Sequence, residues 1–118
     1  RKENYKSKSK SKSKYDFITC FETLEHLKDI EAKDFLLSLH SLLKREGKLF
    51  ISTPNEDLLP FSTEKFLFHK RHYRAKEFEN LLLDSGFNIE NFFSQKSKFS
   101  RHIQENTNGI FLIAEVTK

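Results

Sequence analysis

Between Tyr15 and Asn55 the chain reads YDFITCFETLEHL, then an amphipathic stretch, then GKLFISTPN. Phe17, Ile18, Thr19, Cys20 and Phe21 form a nearly continuous apolar run. Such a run suits a strand buried on both faces, as in a parallel sheet covered by helices. Asp29 is placed to cap a helix with Glu31 in its first turn, and Phe35, Leu39 and Leu42 recur at i, i+4 and i+7, flanked by Leu36 and Leu43. Lys44 and Arg45 would fill the last helical turn and Gly47 would end it. Leu49, Phe50 and Ile51 then make a second strand, stopped by Ser52, Thr53 and Pro54. Strand, helix and strand in this order require a crossover, so the two strands run parallel. In such α/β folds ligands sit at the carboxyl ends of the strands. Glu22, Glu25 and His26 fall there, at i, i+3 and i+4, and share one face if the backbone is helical.

Downstream, Glu56 to Arg74 is irregular, with Pro60, Phe61, Phe66, Phe68 and the basic run His69-Lys70-Arg71-His72-Tyr73-Arg74. A second helix is expected from Ala75 to Ser85 with Phe78, Leu81 and Leu82 as its apolar face and Gly86 as its stop. Phe87 to Phe93 reads as a third strand and Ile110 to Val116 as a fourth, reached through the polar stretch Ser94–Asn108. Without a helical crossover, these last two should pair antiparallel.

A chain of 118 residues holds one domain at most. It opens on Arg1, which suggests a piece of something longer. Of 21 basic and 17 acidic residues, seven basic and one acidic fall in the first fourteen, leaving 14 against 16 from Tyr15 onward. The basic excess behind the net charge of +4 therefore belongs to residues 1–14, a Lys/Ser-rich tail expected to be disordered, and not to the domain at 15–118. As a phosphate-binding arm that tail lacks interleaved aromatics for base stacking, so nucleic acid is disfavoured as a partner. A single cysteine excludes a disulfide framework, and Cys20 reads as a buried thiol. No apolar run approaches the roughly 18–20 residues that span a bilayer, and no signal peptide opens the chain, which points to a cytoplasmic location.

The motif order carries a resemblance: strand, E-x-x-E-H turn, helix, strand ending in STPN, H-x-R-x-Y, and a helix ending in SGF. From Tyr15 onward the chain resembles the C-terminal half of a class I S-adenosylmethionine-dependent methyltransferase. The resemblance implies a partial Rossmann-like sheet: parallel strands with a crossover helix, an antiparallel terminal pair, and the first strands missing. With those strands would go the glycine-rich turn and the ribose-binding acid; Gly47, Gly86 and Gly109 are far apart. Arg45-Glu46-Gly47 also stands where the family often has Pro-Gly-Gly. CFETLEHL is most similar to the ubiquinone-biosynthesis O-methyltransferases and also to small-RNA 2′-O-methyltransferases. That likeness implies cofactor contact at Cys20 and Phe21, and a divalent metal, Mg2+ for instance, on Glu22, Glu25 and His26; the likeness to the RNA enzymes adds a further histidine, for which His69 or His72 is the candidate.

Methyl transfer is an in-line displacement from an already activated donor, so an enzyme mainly positions the acceptor and takes its proton. His26 is the natural proton acceptor for a hydroxyl. A metal on the carboxylates would instead lower the acceptor's pKa. Plain structural readings stand beside these: loop capping for Glu22, helix-start electrostatics for Glu25 and His26, a turn for Ser52–Asn55, helix capping for His69–Arg74, and cover for the sheet by Phe61, Phe66 and Phe68. The expected function is methyl transfer to a small-molecule acceptor, with the missing N-terminal half of the domain as partner and this half inactive alone. The alternatives are a non-catalytic interaction module docking through its first strand and a small-RNA methyltransferase fragment.

Overall fold

The computed structural model describes residues 14–96 and 103–118. The Lys/Ser-rich tail lies outside the described residues except for Lys14, whose backbone N–H donates to the Leu42 carbonyl at 2.9 Å. Strand β1 (Tyr15–Cys20) leads through a one-turn 3-10 helix (Leu24–His26) into helix α1 (Asp29–Leu42) and strand β2 (Leu43–Pro54). Helix α2 (Ala75–Asp84) and strands β3 (Asn88–Gln95), β4 (Ile103–Gln104) and β5 (Phe111–Thr117) complete the order. The five strands form one sheet in the order β1-β2-β5-β3-β4. β1 and β2 are parallel neighbours, with Ile18 opposite Leu49 and Cys20 opposite Ile51. β5 runs antiparallel to β3, as the missing helical crossover between them requires, and antiparallel to β2 as well. The result is a mixed α/β sheet of partial Rossmann-like form.

Both helices begin with the same device. The Lys28 N–H donates to Glu31 Oε1 and the Arg74 N–H to Glu77 Oε1, each at 2.9 Å, which satisfies a donor that the helix itself leaves unpaired. α1 buries Ala32, Leu36 and Leu39, with Phe35 and Leu42 only half-buried. Of the expected stripe Phe35, Leu39 and Leu42, flanked by Leu36 and Leu43, the buried centre is thus shifted toward Leu36 and Leu39, where the small methyl of Ala32 adds to it. α2 buries Phe78 and Leu82, and Gly86 at φ 98° ends it in the left-handed conformation that glycine tolerates. These side chains pack with Leu49, Ile51 and Leu112 into a single core, each large residue contributing roughly 1.5–3 kcal/mol.

Three expectations are corrected. α1 ends at Leu42, so Lys44 and Arg45 lie beyond it and His40 occupies its last turn. Burying Leu43 forces the backbone extended one residue after the helix, and Glu46 at φ 68° makes the turn that Gly47 was expected to close. β1 is not covered on both faces: Tyr15 is 49% and Phe17 59% exposed, since β1 is the sheet edge and only its Ile18–Cys20 side faces the core. Finally, β4 pairs with Ser94 and Gln95 inside the stretch read as a polar connection.

Candidate metal and acceptor site

Beyond the carboxyl ends of β1 and β2 opens a cleft of about 730 Å³, lined by Phe21, Glu22, Glu25, Ser52, Phe66 and His69 among others. Leaving β1, the chain turns at Glu22, which adopts φ 57°, and the Thr23 hydroxyl donates to the Phe21 carbonyl at 3.3 Å. The turn that follows is 3-10, anchored by fully buried Leu24, with Leu27 N–H donating to the Leu24 carbonyl. An α-helical face shared by Glu22, Glu25 and His26 therefore does not form. Glu22 precedes the helical turn and lines the cleft together with Glu25 and His69.

The irregular segment after β2 folds back over this turn. The Lys70 and Arg71 backbone N–H groups both donate to the Glu25 carbonyl, and His26 Nδ1 donates to the Phe68 carbonyl at 2.8 Å. These ties bring His69 beside the E-x-x-E-H turn. One ligand atom each from Glu25, His26 and His69 lies within 4.8 Å of the others. Glu25 Oε2 is 3.9 Å from His26 Nε2, and the two imidazoles meet edge to face with centroids 4.8 Å apart. His69 stacks on Phe66, and its Nδ1 is 2.7 Å from Nε2 of buried His72.

Electrostatics at the cluster are unbalanced. Glu25 is 1% exposed and its Oε1 accepts no hydrogen bond from the protein. Burial pushes its carboxyl above the ordinary range, with His26 pulling only partly the other way. Burial and the neighbouring His72 and His26 hold His69 below the ordinary imidazole range, which favours a neutral ring with a free lone pair. A buried carboxyl oxygen without a donor beside two imidazoles, each with one ring nitrogen not engaged by a carbonyl, fits a divalent cation.

The other expected residues fall as follows. Phe21 is 54% exposed and lines the cleft, whereas Cys20 is buried in the core with its thiol pushed up by burial. Ser52 and Pro54 line the cleft, but Asn55 is a staple: its Nδ2 donates to the Thr107 and Gly109 carbonyls at 3.1 and 3.0 Å. Arg71 and Arg74 are occupied, Arg71 with Asp29 and Glu77 and Arg74 with Asp57. Phe66 lines the cleft, Phe61 packs on His72, and Phe68 is 78% exposed. The close pairing of His69 with His72 was missed, although their i, i+3 spacing in HKRH was its signal.

The described part of the chain has the fold of S-adenosylmethionine-dependent methyltransferases. Residues 1–91 match a family model described as a methyltransferase domain, and the chain belongs to that family. A methyltransferase of this type from Thermotoga maritima superposes with a TM-score of 0.76 at 20% identity, covering 91% of this chain and 57% of that one. One from Methanosarcina mazei gives 0.72 at 18% identity, covering 98% and 65%. A small RNA methyltransferase gives 0.64 at 22% identity, covering 91% of this chain and 14% of that one. The chain thus spans 57% of the Thermotoga neighbour and 65% of the Methanosarcina neighbour. No curated protein sequence matches it. No helix among the described residues is long and apolar enough to cross a membrane.

Proposed function

We propose that this chain is the acceptor-facing half of an S-adenosylmethionine-dependent methyltransferase domain acting on a hydroxyl of a small molecule. The observation that carries this reading is the Glu25–His26–His69 cluster at the carboxyl ends of two parallel strands, on the wall of a largely apolar cleft. A cleft of about 730 Å³ has the volume of a small-molecule site. The E-x-x-E-H likeness to the ubiquinone-type O-methyltransferases supports a hydroxyl acceptor. The exposed edge of β1 supports pairing with further strands of a complete domain, which would supply the cofactor's ribose and methionine contacts.

S-adenosylmethionine, when bound, supplies a methyl group already activated on a sulfonium. Phe21, the exposed residue just past the end of β1, would lie against it, whereas Cys20 is buried in the core. Glu25, His26 and His69 would hold a divalent cation, with Glu22 near enough on the cleft wall to face the acceptor; a bound cation would supply Lewis acidity toward a hydroxyl. Two imidazoles and one carboxylate suit Mn2+, Co2+ or Zn2+ better than Mg2+. A second reading rests on the His26 hydrogen bond. A carbonyl can only accept, so Nδ1 carries the proton, and Nε2 is left free to take the acceptor's proton without a metal.

Isothermal titration of the purified chain separates these. Mn2+ should bind one-to-one, and Glu25→Gln should weaken it at least tenfold; no Mn2+ uptake would leave His26 as the base. S-adenosylmethionine should show no micromolar affinity for the chain alone, and micromolar binding would overturn its assignment as half of a domain.

A further inference from the structure

His72 Nδ1 lies 2.7 Å from the Leu59 carbonyl oxygen. A carbonyl only accepts, so in the neutral ring Nδ1 carries the proton and Nε2 is a bare acceptor. That Nε2 is 2.7 Å from His69 Nδ1, which must then be the donor. His69 is left with its proton on Nδ1 and a lone pair on Nε2. The ring of His72 has little freedom to arrange matters otherwise. It is 3% exposed and wedged against Phe66 and Phe61, with centroids 4.5 and 5.6 Å away.

We infer that His72 is a positioning residue: the file Leu59 carbonyl, His72, His69 fixes His69 in the Nδ1–H tautomer and thereby reserves Nε2 for a cation or an acceptor at the Glu25–His26 cluster. The same logic already holds for His26, whose Nδ1 is claimed by the Phe68 carbonyl. Both imidazoles near Glu25 thus have one nitrogen anchored by the Glu56–Arg74 segment and the other free. Anchoring a ligand imidazole in this way sets its tautomer and ring orientation, and its loss typically costs roughly 10–100-fold in metal affinity. The cation part of this inference rests on the function proposed above; the tautomer part does not.

Long-range 1H–15N correlation spectra of the histidine rings, taken on the full chain at about pH 8 where unperturbed imidazoles are neutral, test it directly. His69 and His72 should both show the Nδ1–H pattern. In His72→Phe, His69 should gain the Nε2–H form, and in His72→Gln, which keeps an acceptor oxygen, it should not. A wild-type His69 carrying its proton on Nε2, or a His69 unchanged in a folded His72→Phe, would overturn the inference. If His72→Phe does not fold, the wild-type and His72→Gln spectra decide. Titration with Co2+, followed by its visible absorption, adds the metal arm. Affinity should fall about 10–100-fold in His72→Phe and recover in His72→Gln. Equal affinity in all three would overturn the positioning role. Failure of the wild type to take up Co2+, with His69 still Nδ1–H, would refute the cation reading alone.

Discussion

Asn55 is the residue whose replacement separates a structural role from a ligand-binding one. It ends the STPN motif, is buried, and donates to two carbonyls while its own Oδ1 accepts the Asp57 N–H at 3.1 Å. In Asn55→Ala all three partners lose their bond, but not at equal cost. Gly109 is buried, so its carbonyl cannot recruit water and bears the full penalty of about 1–3 kcal/mol. Thr107 is half-buried and loses about 1 kcal/mol, while Asp57 is exposed and its N–H rehydrates freely. The sum is about 2–4 kcal/mol of destabilisation, or a midpoint lowered by about 1–2 M urea. Asn55→Asp should be at least as damaging at pH 7, since it keeps the shape but turns the donor into a charged acceptor facing two carbonyls. Urea unfolding followed by far-UV circular dichroism gives both values. A loss below about 0.5 kcal/mol in Asn55→Ala, or an Asp variant as stable as wild type, would refute the staple and return Asn55 to the list of candidate ligand contacts.

Two further outcomes follow from ion pairs. Arg71 joins the starts of both helices through Asp29 at 3.1 Å and Glu77 at 2.9 Å, with its guanidinium 4.1 Å from the Tyr73 ring centre. Because the carboxylates are exposed, Arg71→Ala should cost only about 1–2 kcal/mol in chemical denaturation, and Arg71→Lys should recover less than half of that, having no fork to span both acids; full recovery by lysine would refute the fork. Lys48 Nζ and Asn91 hold the Glu115 carboxyl below its ordinary value of 4.5. A depressed carboxyl contributes stability that is complete above the unfolded value and disappears as pH falls through the folded one, so stability should decline with acid below about pH 4.5. Glu115→Gln should flatten that acid limb; an unchanged slope in pH-dependent melting would sink the assignment.

The crossover unit was readable because its signals are local. Phe17–Phe21 and Leu49–Ile51 are short apolar runs bounded by polar turns, and the intervening leucines repeat at helical spacing. What escaped was set by distant partners. The end of α1 depended on the core drawing in Leu43, against which the weaker signal of Gly47 lost. The exposure of Phe17 depended on β1 having one neighbour only, a fact of sheet order invisible in its own residues. At the site, Glu25 and His26 could be named from the E-x-x-E-H pattern, and His69 was one of two candidates. Their assembly depended on backbone donors from Lys70 and Arg71, which any residue other than proline could provide. Glu22 was grouped with them on α-helical spacing, but it turns at φ 57° ahead of the 3-10 turn at Leu24–His26 and reaches the same cleft from outside that turn.

The joint between α1 and β2 keeps its slack in one short stretch. Leu42 ends the helix and Leu43 begins the strand, but β1 advances from Tyr15 to Phe17 while β2 advances from Leu43 to Lys48, so residues 44–47 bulge out of the ladder. A residue inserted in that bulge leaves the pairing of β2 with β5, which starts at Lys48, in place. One inserted beyond Lys48 must slide β2 along β1 and β5, turning Ile51 outward. Drift in length is absorbed in the bulge, and in the broad connection between Glu56 and Arg74 wherever His69 and His72 stay in step; it is tolerated least within β2 beyond Lys48.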